Sequence, residues 1–292
     1  MKIETLLNQV RQLSKEWASQ LEDRQQRIEA DSADYEALRE IGVPLMAVPV
    51  AFGGTWQDIA QSARPFCTML RTLAQGDPSV TLASSMHQGV LASWWIPAVP
   101  EPYNDVRNHS WDGSTGMRLA APWRGHGMKS TNSHAFEFNN FPATRVAWPG
   151  HQSEIMAATR GLGGMSWCSV VAGVVDLAID YTREQLQTMR SKGSNLRAYE
   201  QVEWARAEQE VFLIERAWEG ALQVLDQGII DPRTILMTKE AMGWLSESAL
   251  SRLCRLTGGT ADTGYYPLEG WLKDVQILGW CRDIFCGEMT SG

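Results

Sequence analysis

Residues 164–179 read GMSWCSVVAGVVDLAI, and Asp176 is their single charge. The run spans more than four helical turns and is apolar all round. A helix with no polar face must be buried on every side, inside a bundle or at an oligomer interface. This chain must therefore supply the amphipathic helices that surround it.

The flanking sequence provides them. Residues 1–29 place Leu6, Leu7, Val10, Leu13, Trp17 and Leu21 at helical spacing, with charge on the other face. Asp31 caps a second helix through Tyr35 and Leu38 to Ile41, and Gly42 stops it. VPLMAVPV, 43–50, reads as an extended link held by Pro44 and Pro49. A third helix starts at Thr55, with Asp58 three residues on as in a capping box, and ends near Ala74. A fourth runs from Pro78 to Trp95, with proline in its first turn. Residues 152–190 are helix-compatible throughout. The next helix, 196–227, carries the stripe Val211, Ile214, Trp218, Leu222 and Leu225, and Gly228 ends it. Asp231-Pro232 opens another as N-cap and N1, running to Leu256 before Gly258-Gly259. A last helix covers about 266–283.

Between these halves the texture changes. In SHAFEFNNFPATRVAWPG, 133–150, Phe136 and Phe138 alternate with Ala135 and Glu137, the period of a half-buried strand. Asn139, Asn140 and Pro142 then turn the chain. One or two strands do not form a stable sheet alone, so the rest of a sheet is missing.

Composition narrows the function classes. The net charge of −8 argues against non-specific nucleic-acid binding. No apolar run reads as long enough to span a bilayer, and MKIETLLNQVRQL reads as a polar amphipathic helix rather than a signal peptide. The five cysteines (67, 168, 254, 281 and 286) form no CxxC pair and read as reduced thiols of a cytoplasmic protein. No metal-ligand spacing appears. The thirteen tryptophans read mainly as core or interface fillers.

Four segments resemble one family. ALREIGVPLMAVPVAFGG, 37–54, resembles a helix turning into a link that ends P-x-x-(Y/F)-G-G. LAQGDPSVTLASSMHQG, 73–89, resembles an L-A-x-x-D-x-S-x-A helix start. GHGMKSTNSHAFEFNNFPATRV, 125–146, is similar to the end of a β domain, G-x-R-x-(S/T)-x-S-x-x-V-x-F-x-x-V-x-V-P. TGGTADTGYYPLEGWLKDVQIL, 257–278, resembles H-G-G-x-G-Y-x-x-x-Y-P-(V/L)-x-R-x-x-R-D. Together they resemble the acyl-CoA dehydrogenase superfamily of flavoproteins. The resemblance implies a mainly α chain: an N-terminal helical domain (1–100), a remnant of a middle β domain (101–150) and a C-terminal four-helix bundle (151–292). The seam lies near EPYNDVRNHSW, 101–111, where the family's (T/S)-E-P-x-x-G-S-D segment is absent. Either the protein lacks these strands, or the sequence closes up over a portion of a longer chain. The bare edge that a lone strand would leave favours the second.

The resemblance implies FAD bound between subunits of a homodimer or homotetramer, and a small-molecule or acyl-thioester substrate. It also implies a carboxylate base. Counting from Asp274 at the family's spacing lands on Arg282; Glu288-Met289-Thr290-Ser291, six residues on, resembles its E-G-T-S and makes Glu288 the candidate base. The family's second location for this base reads MAATRGLGG, without a carboxylate. For the cofactor, Arg183 or Arg190 stands near the family's pyrophosphate-binding arginine, Arg255 replaces its glutamine, and Gly258 and Gly259 permit close backbone approach to a phosphate. His87, in SVTLASSMHQG, matches a histidine that monooxygenases of the superfamily carry on the fourth helix. There it would act as base or hydrogen-bond to flavin-bound oxygen. Three functions stay open: a FAD-dependent oxidoreductase acting on acyl-CoA or a related substrate, a monooxygenase using reduced flavin from a separate reductase, and a flavin-free binding or scaffold subunit.

Overall fold

The computed structural model describes residues 3–94, 110, 112–141, 152–257 and 267–280, with side chains outside 87–94, 152–161 and 279–280. The described helices are α1 (Ile3–Ser19), α2 (Leu21–Gln26), α3 (Ser32–Glu40), α4 (Ile59–Ala74), α5 (Pro78–Trp94), α6 (Gln152–Ser191), α7 (Ala198–Leu225), α8 (Pro232–Thr257) and α9 (Leu268–Trp280). Two short strands, β1 (Met117–Ala121) and β2 (Ala135–Phe138), lie between α5 and α6.

The apolar run is the axis of the fold. Helix α6 packs against α4, α5, α7, α8 and α9. Met165, Cys168, Val170, Val174, Val175 and Ala178 are fully buried, and so are its hydroxyls Ser166, Ser169 and Thr182. Each hydroxyl donates to the carbonyl four residues back, so none is left without a partner. At Gly173 a Cβ would fall on the Arg71 carbonyl, so α4 and α6 approach too closely for any larger residue. By length and composition the segment Leu162–Ser191 could cross a membrane, which corrects the reading that no run is long enough. Its burial among other helices of the same chain makes it a core helix. That burial also removes it as an oligomer surface.

Asp176, the one charge on this run, has a defined role. Arg71 of α4 grips it with two bonds of 2.7 Å and reaches Glu215 of α7 at 2.6 Å. The same guanidinium stacks 4.7 Å over the Trp218 ring, and Gln75 donates to Asp176 at 3.1 Å. Two helical turns earlier, Arg64 binds Glu219 of α7 and Asp226 at its C-cap. Two arginines on one face of α4 thus bolt the N-terminal helices to the C-terminal bundle.

Several expected boundaries move. The first helix breaks at Gln20 into α1 and α2. The third starts at Asp58, whose carboxylate accepts from the Gln61 amide at 2.8 Å, rather than at Thr55, which is buried. The link 43–50 is not extended; Val43–Ala47 makes a 3-10 turn that buries Val43, Met46 and Ala47. Apolar spacing locates helices but not the cap that wins among several polar candidates.

Strand β2 is the second strand of an antiparallel ribbon, with Met117 opposite Phe138, Arg118 opposite Glu137 and Leu119 opposite Phe136. It is more exposed than a half-buried strand: Phe138 is 58% accessible, and only Met117 is buried. Removing the Asp176 carboxylate leaves Arg71 with Glu215 as its remaining carboxylate partner and takes away the acceptor of Gln75. Asp176→Ala therefore costs about 2–4 kcal/mol, read as a lowered urea midpoint at unchanged slope; a cost below about 0.5 kcal/mol would contradict this role.

Candidate functional site

The described residues form a cleft where α2, the start of α5, the loop 125–131 and α9 meet. Its frame is a buried ion cluster. Arg24, 8% exposed, donates to Asp77 at 2.9 Å and Asp34 at 2.8 Å, and lies 4.6 Å over the Trp17 ring. Arg27 takes the other Asp34 oxygen at 2.9 Å. Asp77 also caps α5, accepting from the Val80 amide at 2.9 Å. Burial pushes the Asp77 carboxyl above its ordinary range, against the pull of the Val80 amide and Arg24.

The opposite wall is a tightly constrained loop. Its Trp123 indole donates to the Met128 carbonyl at 2.9 Å, and the Trp123 amide donates to His134 Nδ1 at 2.9 Å. Met128 holds a left-handed backbone (φ 49°), at a cost of roughly 1–2 kcal/mol for a side chain of this kind. Two contacts keep it there: its side chain is buried, and its amide donates to Asp274 Oδ1 of α9 at 2.5 Å. Just before it, a Cβ on Gly127 would fall on the Lys273 carbonyl. Desolvation pushes the Asp274 carboxyl up to about 7; Asp77 adds to this, while the Met128 amide and Lys129 pull the other way. Trp271, 1% exposed, lines the cleft, and its indole N–H has no partner among the described residues. His126 and Lys129 stand exposed at its mouth.

Of the residues expected from sequence, those whose side chains are described do not line the cleft. His87 is on α5, about 13 Å along the helix axis from its first residue; its side chain lies outside the described residues, as do Gly258, Gly259 and Glu288. Arg190 is exposed in the last turn of α6, where its charge suits the helix dipole. Arg183 pairs with Asp180 and lies 5.9 Å over the Trp204 ring. Arg255 binds Glu203 of α7 through Nε at 3.0 Å and Nη2 at 2.9 Å, beside the Arg252–Glu203–Glu210 cluster. The structure does not bring Arg190 or Arg255 to the cleft.

These placements bear on a flavin. Asp77 and Asp274 share the cleft wall with Arg24, Arg27, His126 and Lys129, and Arg255, which does not line the cleft, already has a carboxylate partner. Of the residues assigned to the cofactor or to catalysis, Arg190 and Arg255 are described and do not line the cleft, while the His87 side chain, Gly258, Gly259 and Glu288 lie outside the described residues. Cys67 and Cys168 are disfavoured as nucleophiles, since burial pushes both thiols up to about 12.

In the sequence Asp274 serves only as a ruler for counting, and Asp77 only as the aspartate of the L-A-x-x-D-x-S-x-A segment. The signals were present: Asp followed by Pro is an N-cap before N1, and a lone Asp in LEGWLKDVQIL sits between positions that prove buried, Trp271 and Val275. Inserting a methyl group at the closest contact should spring the loop. Gly127→Ala is expected to cost about 1–3 kcal/mol and to change the Trp123 emission; wild-type stability and emission would show that the loop is not pressed on α9.

A search of known families found no match, and neither did a search of curated proteins. Solved structures do match. XiaF from Streptomyces sp., in complex with FADH2 and glycerol, aligns at TM-score 0.73 and 14% identity over 94% of this chain and 90% of its own. FMN-bound TdsC from Paenibacillus sp. A11-2 aligns at 0.74 and 12% over 94% and 93%. The HsaA monooxygenase from M. tuberculosis aligns at 0.73 and 15% over 99% of each chain. With its nine described helices packed around α6 and a small antiparallel ribbon beside them, this chain has the acyl-CoA dehydrogenase-like fold that these proteins share.

Proposed function

We propose that this protein is a flavin-dependent oxidoreductase. The observation that carries the reading is the fold match over nearly the whole chain to proteins solved with FADH2 or FMN. FAD is the proposed form, as the sequence resemblance implies, and FMN is the other form seen among the neighbours. When bound, a flavin accepts hydride from a substrate or, once reduced, activates oxygen.

The chain's own residues would then divide the work. Gly258 and Gly259 allow close backbone approach to the cofactor, and Arg190 and Arg255 supply positive charge toward its phosphates. Arg255 would do so through the part of its guanidinium not held by Glu203. His87 would hold or deliver a proton at its imidazole, and Glu288 would take the α-proton of an acyl-thioester or related small molecule.

A second reading, monooxygenation with reduced flavin supplied by a separate reductase, is favoured by two observations. The family's base is absent from both of its usual places in the sequence. Two of the matched proteins, HsaA and TdsC, are themselves described as monooxygenases. Anaerobic mixing separates the two. A dehydrogenase bleaches bound FAD with an acyl-CoA and no oxygen, whereas a monooxygenase leaves it oxidised and consumes oxygen only when reduced flavin is supplied. Neither response, with flavin bound, would contradict the oxidoreductase reading. His87→Ala is expected to lower turnover by about 10²–10⁴-fold with the melting temperature kept; undiminished turnover would remove His87 from the chemistry.

We also propose a cytoplasmic homodimer or homotetramer, without a membrane or nucleic-acid partner. With α6 buried, the surface that supports assembly is the outer side of α7 and α8. There Tyr199, Val202, Phe212 and Leu213 of α7 and Met237 and Trp244 of α8 are exposed. Phe212→Asp combined with Trp244→Glu should convert the oligomer to monomer in sedimentation at micromolar concentration. A wild-type monomer under those conditions would contradict the assembly.

A further inference from the structure

The segment Trp123–His134 leads directly into β2, so whatever fastens it also fastens the ribbon. We propose that Asp274 is a pH-sensitive latch that holds this segment, and with it the β1–β2 ribbon, on the helical bundle. The proposal does not depend on which reaction the protein performs.

The geometry is specific. Asp274 stands at the closest approach between loop and bundle, beside the Lys273 carbonyl on which Gly127 presses. It receives the amide of the strained Met128, and no described residue makes an ion pair with it. Docking therefore surrounds a carboxylate with protein and gives it one neutral donor. The charged and titratable groups around it are few. From α5 comes Asp77, which opposes ionisation. From α2 come Arg24, already held by Asp34 and Asp77, and Arg27, held by Asp34. The loop brings His126 and Lys129, of which Lys129 favours the charged form. On α9 itself Lys273 pairs with Glu269.

The sign follows from linkage. With the segment released, Asp274 faces water and titrates near the ordinary value of about 4. With it docked, burial pushes the carboxyl up to about 7. The docked state thus binds the proton more tightly. Docking is firmest below about pH 4, weakens as pH rises toward 7, and levels off above it.

The test is amide hydrogen exchange of residues 123–134 between pH 5 and 8, corrected for intrinsic rates. In the wild-type protein the protection of the Met128 amide should fall by about tenfold or more across that range. In Asp274→Asn, which keeps an acceptor oxygen but cannot ionise, it should stay level. Level protection in the wild type, or an equal fall in Asp274→Asn, overturns the proposal. Lys129→Gln, at an exposed position, supplies a second reading should Asp274→Asn not fold. Losing that cation should move the wild-type midpoint to higher pH, and an unmoved midpoint overturns the latch.

Discussion

The structure depends on the burial of one helix on every side. Residues 165–179 leave no polar face, so the chain can fold only by enclosing α6. Helices α4, α5, α7, α8 and α9 exist in this arrangement because each lends it an apolar stripe. Burial alone is non-directional and does not say which neighbour goes where. Direction comes from Asp176. A single carboxylate on an apolar helix is tolerable only where cations meet it, and Arg71 meets it while also holding Glu215 and covering Trp218.

A second constraint acts nearby, at the end of α4, where Gln75 reaches Asp176 two residues before Asp77. Arg24 joins α2 to α3 and to the start of α5 through Asp34 and Asp77. Asp274 joins α9 to the loop before β2. The two sites share a cleft and contrast in design. Asp77 is buried but paired with an arginine and an amide, whereas Asp274 has an amide alone. That difference makes Asp77 a fixed structural anchor and leaves Asp274 responsive to protons.

Much of this was legible in the sequence. The stripes of α1 and α7, the caps at Asp31 and Asp231 and the enclosed α6 all follow from spacing and cap chemistry. What was not legible is long-range pairing. Nothing near Asp176 in the sequence names Arg71 as its partner, and nothing near Asp274 names Met128, 146 residues away. The ribbon was half legible: alternation located Ala135–Phe138, but β1, reading MRLAA, carries little alternation and was found only through its partner. The functional residues were the least legible. Arg255 was assigned to the cofactor by position in a motif, and the structure shows its carboxylate partner on α7, which a single sequence does not reveal.

The central claim is that this bundle serves a flavin. It is tested most directly by thermal unfolding of the purified protein with and without FAD and FMN. A ligand that binds only the folded state adds about 2.7 kcal/mol at a hundred times its dissociation constant. The account predicts a clear rise in melting temperature with at least one flavin, accompanied by a bound visible spectrum. No rise with either flavin at millimolar concentration, and a colourless protein throughout, would contradict it and leave a helical scaffold with an acyl-CoA dehydrogenase-like fold.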